Sequence, residues 1–281
     1  MGFRVALAQV CHPADEDVVA LVERVAHDAA AQGADLLVFP ESLMSAYEKD
    51  REAFVREAEP VGGAFSQAVE ATAAANHLWV AYTMNEANPT GGLPYNTAVI
   101  CDDAGTRRGA YRKVHLFESA TTKESSRMSA GSSLLPPVDA PFARIGVAIC
   151  YDLRFPEVTR ALVTSDAGCD VMLYPAAWVD GPGKLDQWRT LLAARAIENG
   201  MFVAGVCRPD AGYVGHSCVF GPTGEKICEG GDREELIVAE LDLADVRTAR
   251  AAIPALAHRR EDAYRLNDGP ATLGMPEGGV A

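Results

Sequence analysis

The sequence predicts an α/β fold, a four-layer α-β-β-α sandwich, on two observations. Short apolar runs of strand length alternate with longer segments of helical period along most of the chain. One strand-entry phrase also occurs twice: Gly33-Ala-Asp-Leu-Leu-Val-Phe-Pro40 is echoed by Gly168-Cys-Asp-Val-Met-Leu-Tyr-Pro175. Each copy ends a helix, enters a buried strand and stops at proline. Two related halves, each a sheet with its helices outside, would then face one another.

In chain order, Phe3 to Val10 reads as a buried strand, and Asp15 to Gln32 as a helix whose Val18, Leu21, Val22 and Val25 recur at helical spacing. Gly33 ends that helix, and Leu36 to Phe39 is the next strand. A helix over Gly63 to Asn76 precedes strands Leu78 to Met84 and Tyr95 to Cys101, joined by the turn-rich Asn88-Pro-Thr-Gly-Gly92, and a further strand covers Arg107 to Arg112. The second half repeats the grammar. The strand Ala143 to Ile149 runs into Cys150, and a helix over Pro156 to Val163 leads to the strand Val171 to Tyr174. A helix over Asp186 to Asn199, a strand from Met201 to Val206 and a hairpin around Gly221-Pro-Thr-Gly224 complete it. No linker interrupts the chain, so residues 1–281 are read as a single domain. Residues 242–281, with little apolar periodicity after Ile253, are read as a C-terminal arm on the body or on a partner subunit.

Composition excludes several classes of function. Hydrophobic residues make up 48% and charged residues 23%, ordinary for a globular protein with a sizeable core. Met1-Gly-Phe-Arg-Val5 leads directly into strand-like sequence, so no secretion signal is expected, and no apolar run approaches the roughly 18 residues of a membrane span. The 39 acidic against 25 basic residues give a formal charge of −14, which argues against a nucleic-acid or anionic-membrane partner. Seven cysteines, scattered at 11, 101, 150, 169, 207, 218 and 228, argue for a reducing, cytoplasmic setting rather than a disulfide framework. They contain no Cys-x-x-Cys pair, so no structural zinc site is expected.

Three residues stand where chemistry is expected in an open α/β sheet, at strand ends or just beyond. Glu41 closes the apolar run Leu36 to Pro40, Lys113 follows Tyr111-Arg112, and Cys150 ends a buried strand ahead of a Pro-started helix. A nearby cation or helix N-terminus would lower the thiol pKa from its free value of about 8.5. The carboxylate could serve as general base and the ammonium could stabilise an oxyanion. Taken singly, each has a structural reading. Cys150 could be a small buried hydrophobe like Cys169, Cys207 and Cys218, Glu41 a turn-starting carboxylate, and Lys113 a solvated strand-end charge.

The surrounding words settle the choice. Phe39-Pro-Glu41, Tyr111-Arg-Lys113-Val-His-Leu-Phe117 and Cys150-Tyr-Asp-Leu-Arg-Phe-Pro-Glu157, in that order, resemble the three catalytic blocks of the nitrilase superfamily of carbon–nitrogen hydrolases, and the resemblance runs to about Tyr264. It implies an α-β-β-α sandwich of the nitrilase type and no metal or organic cofactor. Glu41 would be the general base, Lys113 the oxyanion stabiliser and Cys150 the nucleophile that forms a thioester. It also implies a homodimer or higher homo-oligomer, and a second glutamate after the lysine block. Glu124, in Lys123-Glu-Ser125, is preferred over Glu118 for that position, and either could be a solvated loop carboxylate.

Within the superfamily, Cys150-Tyr-Asp-Leu-Arg-Phe-Pro-Glu157 and the later Ala194-Arg-Ala-Ile-Glu-Asn199 are most similar to the Nit and ω-amidase branch. Tyr151-Asp152 stands where true nitrilases usually have Trp-Glu, which favours amides over nitriles. Substrates in this branch are typically small amides that carry a carboxylate elsewhere. Arg154 could grip that carboxylate through two oxygens, or could brace the turn by pairing with Asp152 or Glu157. Tyr151 is assigned to the substrate pocket, Tyr47 and Trp178 to its walls or to plain packing, and His216 to a structural role. The expectation is therefore an amidase that releases ammonia from an ω-amide of a dicarboxylic acid, with an N-carbamoyl amine or amino-acid amidohydrolase as alternative. A non-catalytic binding protein on the same scaffold is the alternative of another class.

Overall fold

A computed structural model of the chain describes residues 2–11, 17–45, 52–119, 122–166, 168–260 and 262–263. The first half contains β1 (Gly2–Gln9), α1 (Val18–Ala31), β2 (Leu36–Val38), α2 (Ala53–Arg56), α3 (Ala64–Asn76), β3 (Trp79–Glu86), β4 (Tyr95–Cys101) and β5 (Arg107–Arg112). The second contains β6 (Val138–Asp139), β7 (Arg144–Val147), α4 (Pro156–Val163), β8 (Val171–Ala176), α5 (Lys184–Asn199), β9 (Phe202–Cys207), β10 (Cys218–Phe220) and β11 (Lys226–Glu229), followed by β12 (Glu235–Asp242) and α6 (Leu243–Ala252).

Two six-stranded sheets result, ordered β12-β1-β2-β3-β4-β5 and β11-β10-β9-β8-β7-β6. Each has three parallel strands at its centre and antiparallel strands outside. Alternation along β1 explains the layering. Phe3, Val5 and Leu7 enter a core shared with β7, β8 and β9, while Ala6, Ala8 and Val10 pack with Leu21, Val25 and Val69 of α1 and α3. On the far side, Leu162, Trp188 and Leu192 of α4 and α5 cover the second sheet. This is the four-layer α-β-β-α sandwich expected from the sequence.

The sequence echo is a structural repeat. Gly33 and Gly168 both adopt the left-handed conformation, at φ +72° and +68°, just before their strands. In the first copy the Arg4 N–H donates to Asp35 Oδ2 at 2.7 Å, and in the second the Arg144 N–H donates to Asp170 Oδ2 at 3.1 Å. Each aspartate thus fixes the register of a parallel pair, Val5 with Leu36 and Ile145 with Val171. The strands that follow both stop beside the same cavity.

Two elements depart from the sequence reading. β12 pairs with β1 over its full length, from Gly2 opposite Asp242 to Gln9 opposite Glu235, so the chain returns from the second sheet to complete the first. Residues 243–252, assigned to the arm, form α6, capped by the Asp242 carboxylate on the Ala244 N–H at 3.0 Å. Val246 and Ala249 are buried, and Arg250 donates to the Cys169 and Asn199 carbonyls, so α6 is docked on the body.

Candidate active site

Glu41 sits just past β2 on a turn fastened from two sides. Thr83 Oγ1 of β3 donates to the Pro40 carbonyl at 2.9 Å, and Arg208 Nη1 reaches the Ser42 carbonyl at 3.3 Å. The Glu41 carboxylate is 3% exposed, yet every oxygen has donors. Oε1 accepts from Asn96 Nδ2 at 2.8 Å and Lys113 Nζ at 2.9 Å, and Oε2 accepts from the Ala177 N–H at 2.8 Å. Ala177 follows β8, the strand of the second echo, so the two repeats meet at this carboxylate. Burial alone would raise the Glu41 pKa, but Lys113 and the hydrogen bonds from Lys113, Cys150 and the Ala177 N–H outweigh it and hold the group below the usual carboxylate range.

Lys113 lies just beyond β5, and its side chain is fully enclosed. Its N–H donates to the Asn96 carbonyl at 2.9 Å, and its own carbonyl accepts from the Gly131 N–H at 2.8 Å. Gly131 comes so close that a Cβ there would lie 2.2 Å from the Arg112 carbonyl oxygen, which only glycine avoids. The ammonium also contacts both Glu124 oxygens, at 3.0 and 2.9 Å. Burial works to neutralise it, but Glu124, Glu41 and Cys150 together keep its pKa well above the ordinary lysine value.

Glu124 opens a single 3₁₀ turn, Glu124–Ser126, and its Oε2 accepts from the Phe117 N–H at 2.7 Å. Burial, with the nearby Glu41 charge, raises its pKa although Lys113 opposes. Glu118 points elsewhere and accepts from the Ser125 N–H at 3.0 Å. Of the two glutamates weighed in the sequence, the structure brings Glu124 to Lys113.

Cys150 stands at φ +46°, a left-handed backbone that costs a non-glycine residue on the order of 1–2 kcal/mol. The chain does not pass straight into α4. A 3₁₀ turn, Cys150–Arg154, intervenes, and the Asp152 carboxylate folds back onto the Ile149 N–H at 2.9 Å. The same carboxylate accepts from Tyr111 Oη at 2.8 Å and from the His115 N–H at 3.1 Å, with the His115 ring at 2.8 Å. Asp152 therefore ties the segment on both sides of Lys113 to the turn that carries Cys150. The thiol pKa runs opposite to the sequence expectation. Burial first, then Glu41, push it well above the free value, and Lys113 only partly offsets them. A carboxylate held ionised beside a neutral thiol can take its proton as the sulfur attacks.

Glu41, Glu124 and Cys150 line a cavity of about 260 Å³, just below the roughly 300–1,000 Å³ usual for ligand sites. Tyr151, Arg154 and Trp178 line it too, with Tyr151 edge-on to Phe117 at 5.2 Å. Arg154 does not brace the turn through Asp152 or Glu157. Its Nη2 donates to Gln187 Oε1 at 2.9 Å, and its Cζ lies 4.5 Å from the centre of the Trp178 ring. Tyr47 falls outside the described residues. His216 is away from the cavity, with its ring nitrogen 2.9 Å from Glu229. Sequence reasoning missed Asn96, Asp152 and Lys184. Asn96 carried a signal, an amide near the start of a mostly apolar strand, and Lys184, at the start of α5, also lines the cavity.

Residues 4–251 match the carbon-nitrogen hydrolase family. The chain is 32% identical over 278 residues to the human Omega-amidase NIT2, which covers 94% of this chain and 98% of that protein. It is 39% identical over 184 residues to the nitrilase and fragile histidine triad fusion protein NitFhit of Caenorhabditis elegans; that match covers 62% of this chain but only 41% of NitFhit. Among solved structures, Saccharomyces cerevisiae Nit3, a member of branch 10 of the nitrilase superfamily, superposes with a TM-score of 0.81 at 29% identity, covering 94% of this chain and 97% of Nit3. With the sandwich, the buried Glu41–Lys113–Cys150 cluster and a family match over most of its length, the chain belongs to the carbon-nitrogen hydrolase family.

Proposed function

We propose that the protein is an amidase that hydrolyses a small aliphatic ω-amide of a dicarboxylic acid through a thioester on Cys150. The observation that carries the reading is the enclosed set in which the Glu41 carboxylate contacts both Lys113 and the Cys150 thiol at one end of a small cavity. The Cys150 sulfur attacks the amide carbon while its proton passes to Glu41. The Lys113 ammonium and a backbone N–H beside Cys150 stabilise the resulting oxyanion. Collapse expels the amine, which takes the proton from Glu41 and leaves as ammonia. Water then attacks the thioester, losing its proton to Glu41; the C–S bond breaks, Glu41 returns that proton to the departing Cys150 sulfur, and the carboxylic acid is released. Glu124, which contacts the Lys113 ammonium through both oxygens, holds it in place and orients the substrate amide.

The carboxylate on the substrate is supported by Arg154, which lines the cavity with a neutral glutamine as its hydrogen-bond partner, and by the likeness to an enzyme named omega-amidase. The seven cysteines are all thiols, which supports a reducing, cytoplasmic setting, and no described helix is long and apolar enough to cross a membrane. A homodimer or higher homo-oligomer completes the proposal and is tested by light scattering on the purified protein. The function is tested by ammonia release from α-ketoglutaramate and succinamate, with Cys150→Ala expected to abolish it. Wild-type activity in that variant, or carbon dioxide released alongside ammonia from N-carbamoyl compounds at a higher rate, would overturn the assignment. A thioester adduct on Cys150 after acid quench, read by mass spectrometry, separates an enzyme from a binding protein.

A further inference from the structure

The cavity is electrically lopsided. At the reacting end two carboxylates, Glu41 and Glu124, share the ammonium of Lys113, and Arg127 lines the cavity three residues beyond Glu124. The wall formed by Trp178 carries two cations instead, Arg154 and Lys184, both lining the cavity. One side chain organises them. The Trp178 ring lies under the Arg154 guanidinium at 4.5 Å, and Trp178 Nε1 donates to the Lys184 carbonyl at 3.0 Å. Trp178 is itself buried and packed on Trp188 at 5.4 Å, so this wall is built before any substrate arrives.

Among the described residues neither cation has a carboxylate partner. Several other arginines are paired with carboxylates: Arg107 with Glu70, Arg112 with Glu86, Arg144 with Asp170 and Arg189 with Glu229. In a chain with 39 acidic residues, a guanidinium fixed by a neutral amide, beside a lysine without a counter-ion, marks a place that an anion from outside is to fill. Gln187, one helical turn after Lys184, fixes the guanidinium without neutralising it.

We propose that Lys184 acts with Arg154 as a two-cation subsite that binds the distal carboxylate of the substrate and sets which end of the molecule reaches Cys150. The inference rests on the amidase reading and names a specificity residue for it. An amide with a carboxylate at its other end is oriented by the field of the cavity, its anion toward Arg154 and Lys184 and its amide toward the Glu41–Lys113–Glu124 cluster. A neutral amide of the same length gains nothing from this wall.

Binding to the Cys150→Ala protein tests the subsite apart from turnover. Calorimetric titration with succinamate and with butyramide should show succinamate at least about tenfold tighter, as a charge-assisted contact in a partly enclosed site implies. Lys184→Gln should remove about tenfold of the succinamate affinity and narrow the preference over butyramide. Lys184→Glu should reverse it in favour of 4-aminobutyramide. Equal binding of succinamate and butyramide, or equal weakening of both by Lys184→Gln, would overturn the subsite. The amidase reading fails on a different result, the absence of Cys150-dependent ammonia release by the wild-type enzyme from any of these amides.

Discussion

Tyr111 Oη donates to Asp152 Oδ2 at 2.8 Å across the interface of the two sheets, from the end of β5, just before Lys113, to the second residue after Cys150. With the His115 and Ile149 contacts, it makes Asp152 a strut between the ammonium and the thiol. Asp152→Asn replaces an acceptor oxygen by an N–H donor that faces donors. We expect it to cost about 2–3 kcal/mol of stability in urea unfolding and to lower kcat far more than it changes KM. Tyr111→Phe should do the same to a smaller extent. A kcat within twofold of wild type in both variants would show that the strut does not position the cluster.

Reactivity of Cys150 rests on Glu41 rather than on an acidic thiol. Burial pushes Cys101, Cys169 and Cys207 up to about 12, and Cys150 is also raised, so none is a ready thiolate at neutral pH. Iodoacetamide should nevertheless label Cys150 first. The Glu41 pKa is depressed, so the carboxylate is ionised above that value and the labelling rate should stay flat through neutrality, falling only below the ordinary carboxylate range. In Glu41→Gln the rate at neutral pH should collapse and then climb about tenfold per pH unit as thiolate forms. Labelling that rises with pH equally in both proteins would place the activation elsewhere.

The left-handed backbone at Cys150 predicts a stability difference between two inactive variants. Cys150→Gly should be more stable than Cys150→Ala by about 1 kcal/mol, because only alanine keeps a Cβ in that conformation. The two remove almost the same side-chain contacts, so thermal unfolding isolates the backbone contribution. Alanine equal to or above glycine would mean that the turn carries no strain.

Glu124 and Glu118 make a paired comparison. Glu124→Gln removes a charge that contacts Lys113 through both oxygens, and kcat/KM should fall about 100-fold, the scale of a lost charge-assisted contact in an enclosed site. Glu118→Gln touches an exposed loop bond to Ser125 and should stay within about twofold. Because the Glu124 pKa is raised, its protonation sets in above the ordinary carboxylate range as pH falls, so the acid limb of wild-type kcat should begin there, ahead of Glu41. Steady-state rates across pH check all three statements.

Glu41, Lys113 and Cys150 were legible as a group because each stands where the chain leaves a strand, and because short phrases around them carry the family likeness. Asp152 was harder to read: it sits inside the Cys150 phrase, but its partners Tyr111 and His115 lie in β5 and in the segment just after it, some 40 residues earlier in the chain. Lys184 is one of many charges on helices, and only the orientation of Trp178 places it on the cavity wall. The direction of the thiol pKa was misread for a physical reason, since sequence shows which charges could be near but not how completely water is excluded. α6 was missed because only Val246 and Ala249 of it are buried and its apolar pattern is correspondingly thin, whereas β12 carries the apolar run Leu236-Ile-Val-Ala239 but pairs with β1, more than 220 residues away, which no local pattern shows.

The return of β12 to β1 has a cost during synthesis. A ribosome that has delivered residues 2–234 has made every other strand of the first sheet, yet β1 still lacks its outer neighbour. Until Glu235–Asp242 emerges, the whole length of β1, apolar at most positions, is an open edge with unpaired backbone groups. The nascent chain thus carries an unpaired strand from its first residues until Asp242 is made. Pairing with β12 closes that edge in the finished enzyme.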